Sequence, residues 1–221
     1  MNISSEDYLP LLIIVLTSIT SIMAFSNFDL RNKLIFNVGA ILRGKEWYRL
    51  ITSAFLHGDS MHLIFNMLTL FFFGGTVVSF LGAGKFLLIY FAAVLGGGLL
   101  SLLVHRRDNY YTALGASGGV VGILFASIAL YPHIGIGFFL IPNFYIPGWL
   151  FGIGYLFYSI YGMQRNTDNI GHEAHLGGAV IGIGLSLLMH PSSLIANGLY
   201  IGIMLIPLVY LTVLVLKDIR K

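Results

Sequence analysis

The stretch Gly115-Ala116-Ser117-Gly118-Gly119 opens the apolar run Val120–Tyr131, and a polar patch from Arg106 to Tyr111 precedes it. A helix starting near Ser117 and ending with that run rises about 22 Å at 1.5 Å per residue. That falls short of the roughly 30 Å hydrocarbon core of a bilayer. If its far end reaches one surface, its start lies at depth, with a serine hydroxyl among glycines. Small-residue runs also let membrane helices approach closely, so the stretch acquires a chemical meaning only from its surroundings.

Those surroundings are membrane-like. Of 221 residues, 57% are hydrophobic and 10% charged, against about 25% charged in a soluble domain. Apolar runs predict spans over Leu9–Phe25, Ser60–Phe80, Phe86–Val104, the short run after Ser117, Ile146–Tyr161, His172–Met189 and a last one within 198–216. Gly82-Ala83-Gly84 predicts a tight turn, and Pro132–Pro147 an irregular segment holding the apolar piece Ile134–Ile141. The fold class that follows is all-α: a polytopic helical bundle forming a single domain over 1–221, since helices and closed barrels alone satisfy the backbone in lipid. The connection 26–59 mixes five basic residues with Leu34, Ile35, Phe36, Val38, Ile41 and Leu42, which predicts a folded interfacial element. Before the first span, residues Met1–Asp7 carry no basic region of a cleaved signal peptide. A net charge of +3 confined to loops argues against nucleic acid, and the absence of cysteine removes thiolate chemistry.

Ionisable groups in spans are functional candidates by default. His62 and Asn66 are four apart and share a helix face, as do His172 and His175, three apart. His57 and His172 read as near-surface imidazoles, and Asp59 and Glu173 as acids at helix starts, where the dipole favours them. Ser117, His62, Asn66 and His175, at similar depth on three spans, each need a partner, and one wet cavity would serve all four. A serine needs a base, and histidine is the usual one. His175 is then the base, with His62, Asn66 and the Ser117 N–H as oxyanion donors. No carboxylate stands ready as a third member, so the set is a Ser–His dyad. His172-Glu173-Ala174-His175 lacks the i, i+4 histidine spacing of zinc protease helices, so no metal is expected. No span interior holds a carboxylate pair for aspartyl proteolysis. A transporter would show related halves, and none are visible.

Four pieces in order resemble the rhomboid intramembrane serine proteases: Glu46-Trp47-Tyr48-Arg49; His57, His62 and Asn66; Gly115-Ala116-Ser117-Gly118; and Ala174-His175-Leu176-Gly177-Gly178 with Gly182. The resemblance implies a six-span core over 9–190 with an additional C-terminal span at 198–216. It implies Ser117 as nucleophile, His175 as base, and His62, Asn66 and Ser117 at the oxyanion. It also implies supporting roles for His57, Gly115 and Gly118, and close packing at Gly178 and Gly182. No cofactor is implied. The implied partners are transmembrane substrates within the lipid bilayer, passing the second and fifth spans, where Phe151, Tyr155 and Tyr158 would form a gate. The alternative it leaves is a non-catalytic relative that binds transmembrane helices. Where family members often carry an aromatic residue four after the serine, this chain has Val121, so either the base is held more loosely or another ring substitutes. The implied location is a bacterial inner membrane with the active site outside the cytoplasm. The positive-inside rule points the other way, because Arg31, Lys33, Arg43, Lys45, Arg49, Arg106, Arg107, Arg165, Lys217, Arg220 and Lys221 share one side.

Overall fold

The computed structural model describes residues 8–138, 141–165 and 170–219. The polar start, residues 166–169 of the loop after the fifth predicted span, 139–140 of the apolar piece, and Arg220 and Lys221 lie outside the described residues.

Helix α1 (Tyr8–Ser26) is apolar almost all round, and its buried stripe is Pro10, Ile13, Thr17, Ser21 and Ala24. Leu12, Val15, Leu16, Ile19 and Ile22 are exposed. Lipid does not distinguish those side chains from a core, so small and hydroxylated residues mark the protein-facing side.

The connection 26–59 is folded. It forms α2 (Phe28–Leu34), strand β1 (Phe36–Asn37), α3 (Val38–Leu42) and α4 (Arg49–Thr52). Asn27 and Asn37 cap α2 and α3 by accepting from the N–H groups of Leu30 and Ala40. Arg49 is buried and donates through Nη1 to the carbonyls of Asn32 and Ile35, both at 2.7 Å, and through Nε to Glu46 at 2.7 Å. Glu46 also accepts from the Tyr48 hydroxyl, and these two hydrogen bonds hold its carboxyl below the usual range. Phe36, Val38, Ile41, Leu50 and Leu102 form a small core of their own.

Asp59 caps α5 (Ser60–Leu81), accepting from the His62 N–H at 2.9 Å. The turn to α6 (Ala83–Val104) is narrower than predicted: Gly82 alone, at φ 82°, makes it, and Ala83 and Gly84 are already helical. Strand β2 (Thr112–Ala113) pairs antiparallel with β1, so the first loop grips the segment leading to Ser117. Helix α7 (Ser117–Leu130) is the axis of the molecule, with every residue from Gly118 to Leu130 buried.

The segment predicted as irregular is instead a hairpin, β3 (Gly135–Phe138) on β4 (Ile141–Pro147). Its strands alternate too briefly to show a period in sequence. Pro147 ends β4 instead of entering a helical turn. Helix α8 (Gly148–Arg165) follows, and the first two of its N–H groups donate to Ile134 and Pro132 carbonyls. Helix α9 (His172–Met189) is separated from α10 (Ser192–Ile219) by a break much narrower than predicted. Proline suits a helix start, and the Ser192 and Ser193 hydroxyls bond His190 Nδ1. Pro191 and the two serines after it therefore lead directly into α10.

Among the described residues, five helices are long and apolar enough to cross a membrane: α1, α5, α6, α9 and α10 up to Leu211. Helix α7 is apolar but shorter. The fold is a helical membrane bundle, with the two short strand pairs as its only departure from all-α among the described residues.

Candidate active site

Ser117 is the first residue of α7, so its own N–H has no partner within the helix. Two features set it there. Gly115 has φ +132°, a conformation side chains rarely adopt. A methyl group on Gly115 would also come 2.9 Å from His62 Cε1, 3.1 Å from His62 Nε2 and 3.7 Å from Ser117 Oγ. The glycine therefore leaves room for an imidazole beside the serine. Its N–H donates to the Ser53 carbonyl at 3.1 Å, anchoring the loop.

Ala174, the residue before His175, reaches the start of α7 because α9 lies against α7 and α6 along a seam of glycines. A Cβ on Gly178 would overlap the Gly118 carbonyl, and one on Gly182 the Gly122 carbonyl. Across the other flank, a Cβ on Gly177 would come 2.7 Å from the Gly96 carbonyl. Gly118 itself faces the Ala174 carbonyl, the residue before His175. The imidazole Nδ1 lies 2.9 Å from the Tyr155 hydroxyl of α8, with the rings 5.9 Å apart and tilted by 31°. Val121 is buried without offering a ring, and the aromatic neighbour of the histidine comes from α8 instead.

His62 lies on the first turn of α5, edge-on to His57 with ring centroids 4.9 Å apart. Asn66, one turn on, is buried and donates from Nδ2 to the His62 carbonyl at 3.0 Å. An amide has a second N–H to give.

His57 and His172 read as near-surface imidazoles in sequence, yet both are buried, at 2% and 1% exposure. Three-dimensional packing covers both: Ser21 of α1, His62 of α5 and Ala116 before α7 for His57, and α8 for His172. The Ser21 hydroxyl donates to the Phe55 carbonyl at 2.9 Å, so it accepts from His57 Nδ1–H at 2.8 Å. His57 Nε2 in turn accepts from the Ala116 N–H at 3.4 Å. This ring is neutral and braces the residue before the serine. Burial, then the neighbouring His62, push its pKa down to about 3. His172 packs edge-on against Tyr158, and Gly162 leaves the space for its ring.

Ser117, His175, His62, Asn66, Gly115 and Gly118 line one cavity of about 1060 Å³. Gly178, Gly182 and His57 sit behind its wall. The cavity continues between α5 and α8, past Phe65 and Phe72 on one side and Phe151 and Tyr155 on the other. Phe65 and Phe72 are exposed, so this flank carries an apolar outer face. The predicted gate aromatics divide: Phe151 and Tyr155 turn inward and stack, while Tyr158 covers His172. The arrangement has a hydroxyl, an imidazole and further donors around one space, which is what acyl transfer requires. Among the described residues, no three His, Asp or Glu side chains gather as a metal-binding group.

One cluster escaped the sequence reading. Glu173, 4% exposed, accepts from Tyr111 Oη at 2.6 Å and pairs with His105 Nε2 at 2.9 Å. The His105 and Tyr111 rings stack at 3.6 Å. Burial and the Glu173 charge push the Tyr111 hydroxyl pKa upward. The cluster joins the head of α9 to the loop leading to Ser117. An acid in a first helical turn gives no sign of this in sequence.

A family model described as Rhomboid domain matches residues 44–192. The chain is 35% identical over 150 residues to RHOMBOID-like protein 12, mitochondrial, of Arabidopsis thaliana, covering 61% of this chain and 44% of that protein. It is 33% identical over 139 residues to Rhomboid protein 1, mitochondrial, of Saccharomyces cerevisiae, covering 61% and 39%. It is 42% identical over 79 residues to Rhomboid protease GluP of Bacillus subtilis, covering 36% and 15%. The chain thus spans less than half the length of each of these relatives. The matched model takes in α4 to α9 with every residue of the cavity named above, and on that ground the chain belongs to the rhomboid family.

Proposed function

We propose that the chain is an intramembrane serine protease that cleaves transmembrane proteins at or near their spans. The observation that carries this reading is the shared cavity of Ser117, His175, His62 and Asn66, bordered by α5 and α8. His175 takes the Ser117 proton as Oγ attacks the scissile carbonyl carbon. The carbonyl electron pair moves to oxygen, where the Ser117 N–H, the His62 ring and the second Asn66 N–H stabilise it. His175 then protonates the leaving amine, and water releases the acyl group by the reverse sequence. Unwound substrate passes sideways between α5 and α8. We infer one membrane domain over 1–221, with its core at 9–190 and the last helix docked on it. Kinship with the Bacillus subtilis protease supports a bacterial membrane as its location, and the mitochondrial relatives support an organellar one. Cell fractionation of the source organism decides between them.

The test is a fluorophosphonate probe and a single-span model substrate, applied to the full chain in proteoliposomes. We expect labelling and cleavage in the wild type and neither in Ser117→Ala. Labelling that survives Ser117→Ala overturns the reading. Wild-type protein that binds the substrate helix but neither labels nor cleaves is the non-catalytic alternative.

A further inference from the structure

We propose that Tyr155 is a positioning residue for the reaction, selecting the tautomer of His175 that can act as a base. This rests on the proposed roles of Ser117 and His175. The phenol oxygen lies 2.9 Å from His175 Nδ1, and Nε2, on the other side of the ring, is the nitrogen that serves Ser117 in the proposed reaction. A neutral imidazole carries one N–H and one lone pair. With the hydrogen on Nδ1 and donated to Tyr155, the Nε2 lone pair faces the reaction. With the phenol donating to Nδ1 instead, Nε2 carries the hydrogen and cannot take the serine proton.

The phenol is held by its own neighbours. Its ring stacks on Phe151 at 5.9 Å and lies 6.0 Å from Phe125 of α7. The fully buried Phe125 and the half-buried Phe151 therefore fix the hydroxyl with respect to α9. Glu173, the nearest acid to the histidine in sequence, is engaged by His105 and Tyr111. Tyr155 accordingly takes the place that an aspartate holds in a Ser–His–Asp set. It does so as a neutral acceptor, giving orientation without a full countercharge. During attack, the Ser117 O–H bond breaks and its proton moves to His175 Nε2. The Oγ electron pair forms the bond to carbon, and Tyr155 Oη keeps accepting from Nδ1–H throughout. Tyr155 neither gains nor loses a proton.

The experiment compares the wild type, Tyr155→Phe and the control Tyr161→Phe, an exposed tyrosine on the same helix, as full chains in proteoliposomes. Steady-state cleavage gives kcat and KM, and ¹⁵N spectra of labelled imidazoles give the His175 tautomer. Tyr155→Phe keeps the ring packing and removes the oxygen. We expect its kcat to fall about 10- to 100-fold with KM unchanged, the scale of a hydrogen bond to a charged group. We expect the Nδ1–H form of the wild type to become a mixture, and Tyr161→Phe to match the wild type. A Tyr155→Phe kcat within about twofold of wild type overturns the proposal while leaving the protease reading intact. An Nε2–H tautomer in the wild type overturns it too, and that measurement stands even if Tyr155→Phe fails to fold. A wild type that neither labels nor cleaves fails the protease reading instead.

Discussion

At the scale of single residues, Asn66 lines the cavity and His57 lies behind it. In the proposed reaction Asn66 is an oxyanion donor, with one amide N–H already given to the His62 carbonyl. We expect Asn66→Ala to lower kcat about 100-fold with little change in KM or thermal midpoint, the usual loss for one oxyanion donor. Steady-state cleavage together with a thermal melt checks this. His57 braces the residue before the serine. Its folded-state pKa, about 3, lies below the ordinary histidine value. The unfolded chain takes up a proton below about pH 6.5 while the folded one does not. The stabilisation is therefore complete above that pH and declines as pH falls towards 3, by about 1.4 kcal/mol per unit at most. Thermal melts between pH 7 and 4.5 should show falling stability, with a shallower slope in His57→Gln. Sequence carried the identity of both residues. It could not carry the burial of His57, because its partners Ser21 and Ala116 are distant along the chain.

The elements are organised by the seam where α9 meets α7 and α6. Helices pack this closely in lipid only where side chains are missing, and here the backbones themselves are in contact. Gly182→Ala places a methyl group against the Gly122 carbonyl. We expect it to cost about 1–3 kcal/mol, as overpacking does, and to lower activity by moving His175 away from Ser117. Gly184 on the same helix has nothing within 4 Å of its Cβ position. Gly184→Ala should therefore leave the melt and the activity near wild type, which separates a contact effect from a helix-propensity effect. The spacing of Gly178 and Gly182 was visible in sequence as a face. The hairpin β3–β4 and the Glu173–His105–Tyr111 cluster were not, because each depends on partners distant along the chain.

For the whole molecule, the last helix is part of the structure and not an appendage. Asn197 of α10 donates from Nδ2 to the Ala129 and Leu130 carbonyls at 3.2 and 3.1 Å, capping the far end of α7. We expect Asn197→Ala to destabilise the chain by about 1–3 kcal/mol through those two buried acceptors, measured by thermal melts in one detergent. Orientation is also a property of the whole chain. The first loop buries Arg49 inside its own fold, which removes one basic residue from the topology signal and supports the family orientation. A reporter fused after Lys221 should then lie outside the cytoplasm, and a cytoplasmic reporter reverses the assignment. Composition and the run of apolar segments were enough to establish a helical membrane bundle, because lipid admits few other solutions for the backbone. The order of short motifs was enough to nominate Ser117, His175, His62 and Asn66. Only the tertiary structure could supply what holds the histidine. Tyr155 and His175 stand on different helices, and nothing local in either segment encodes the 2.9 Å between them. A hydrogen bond across helices is set by how the helices pack, and here that packing is set by glycines whose contribution is the absence of a side chain.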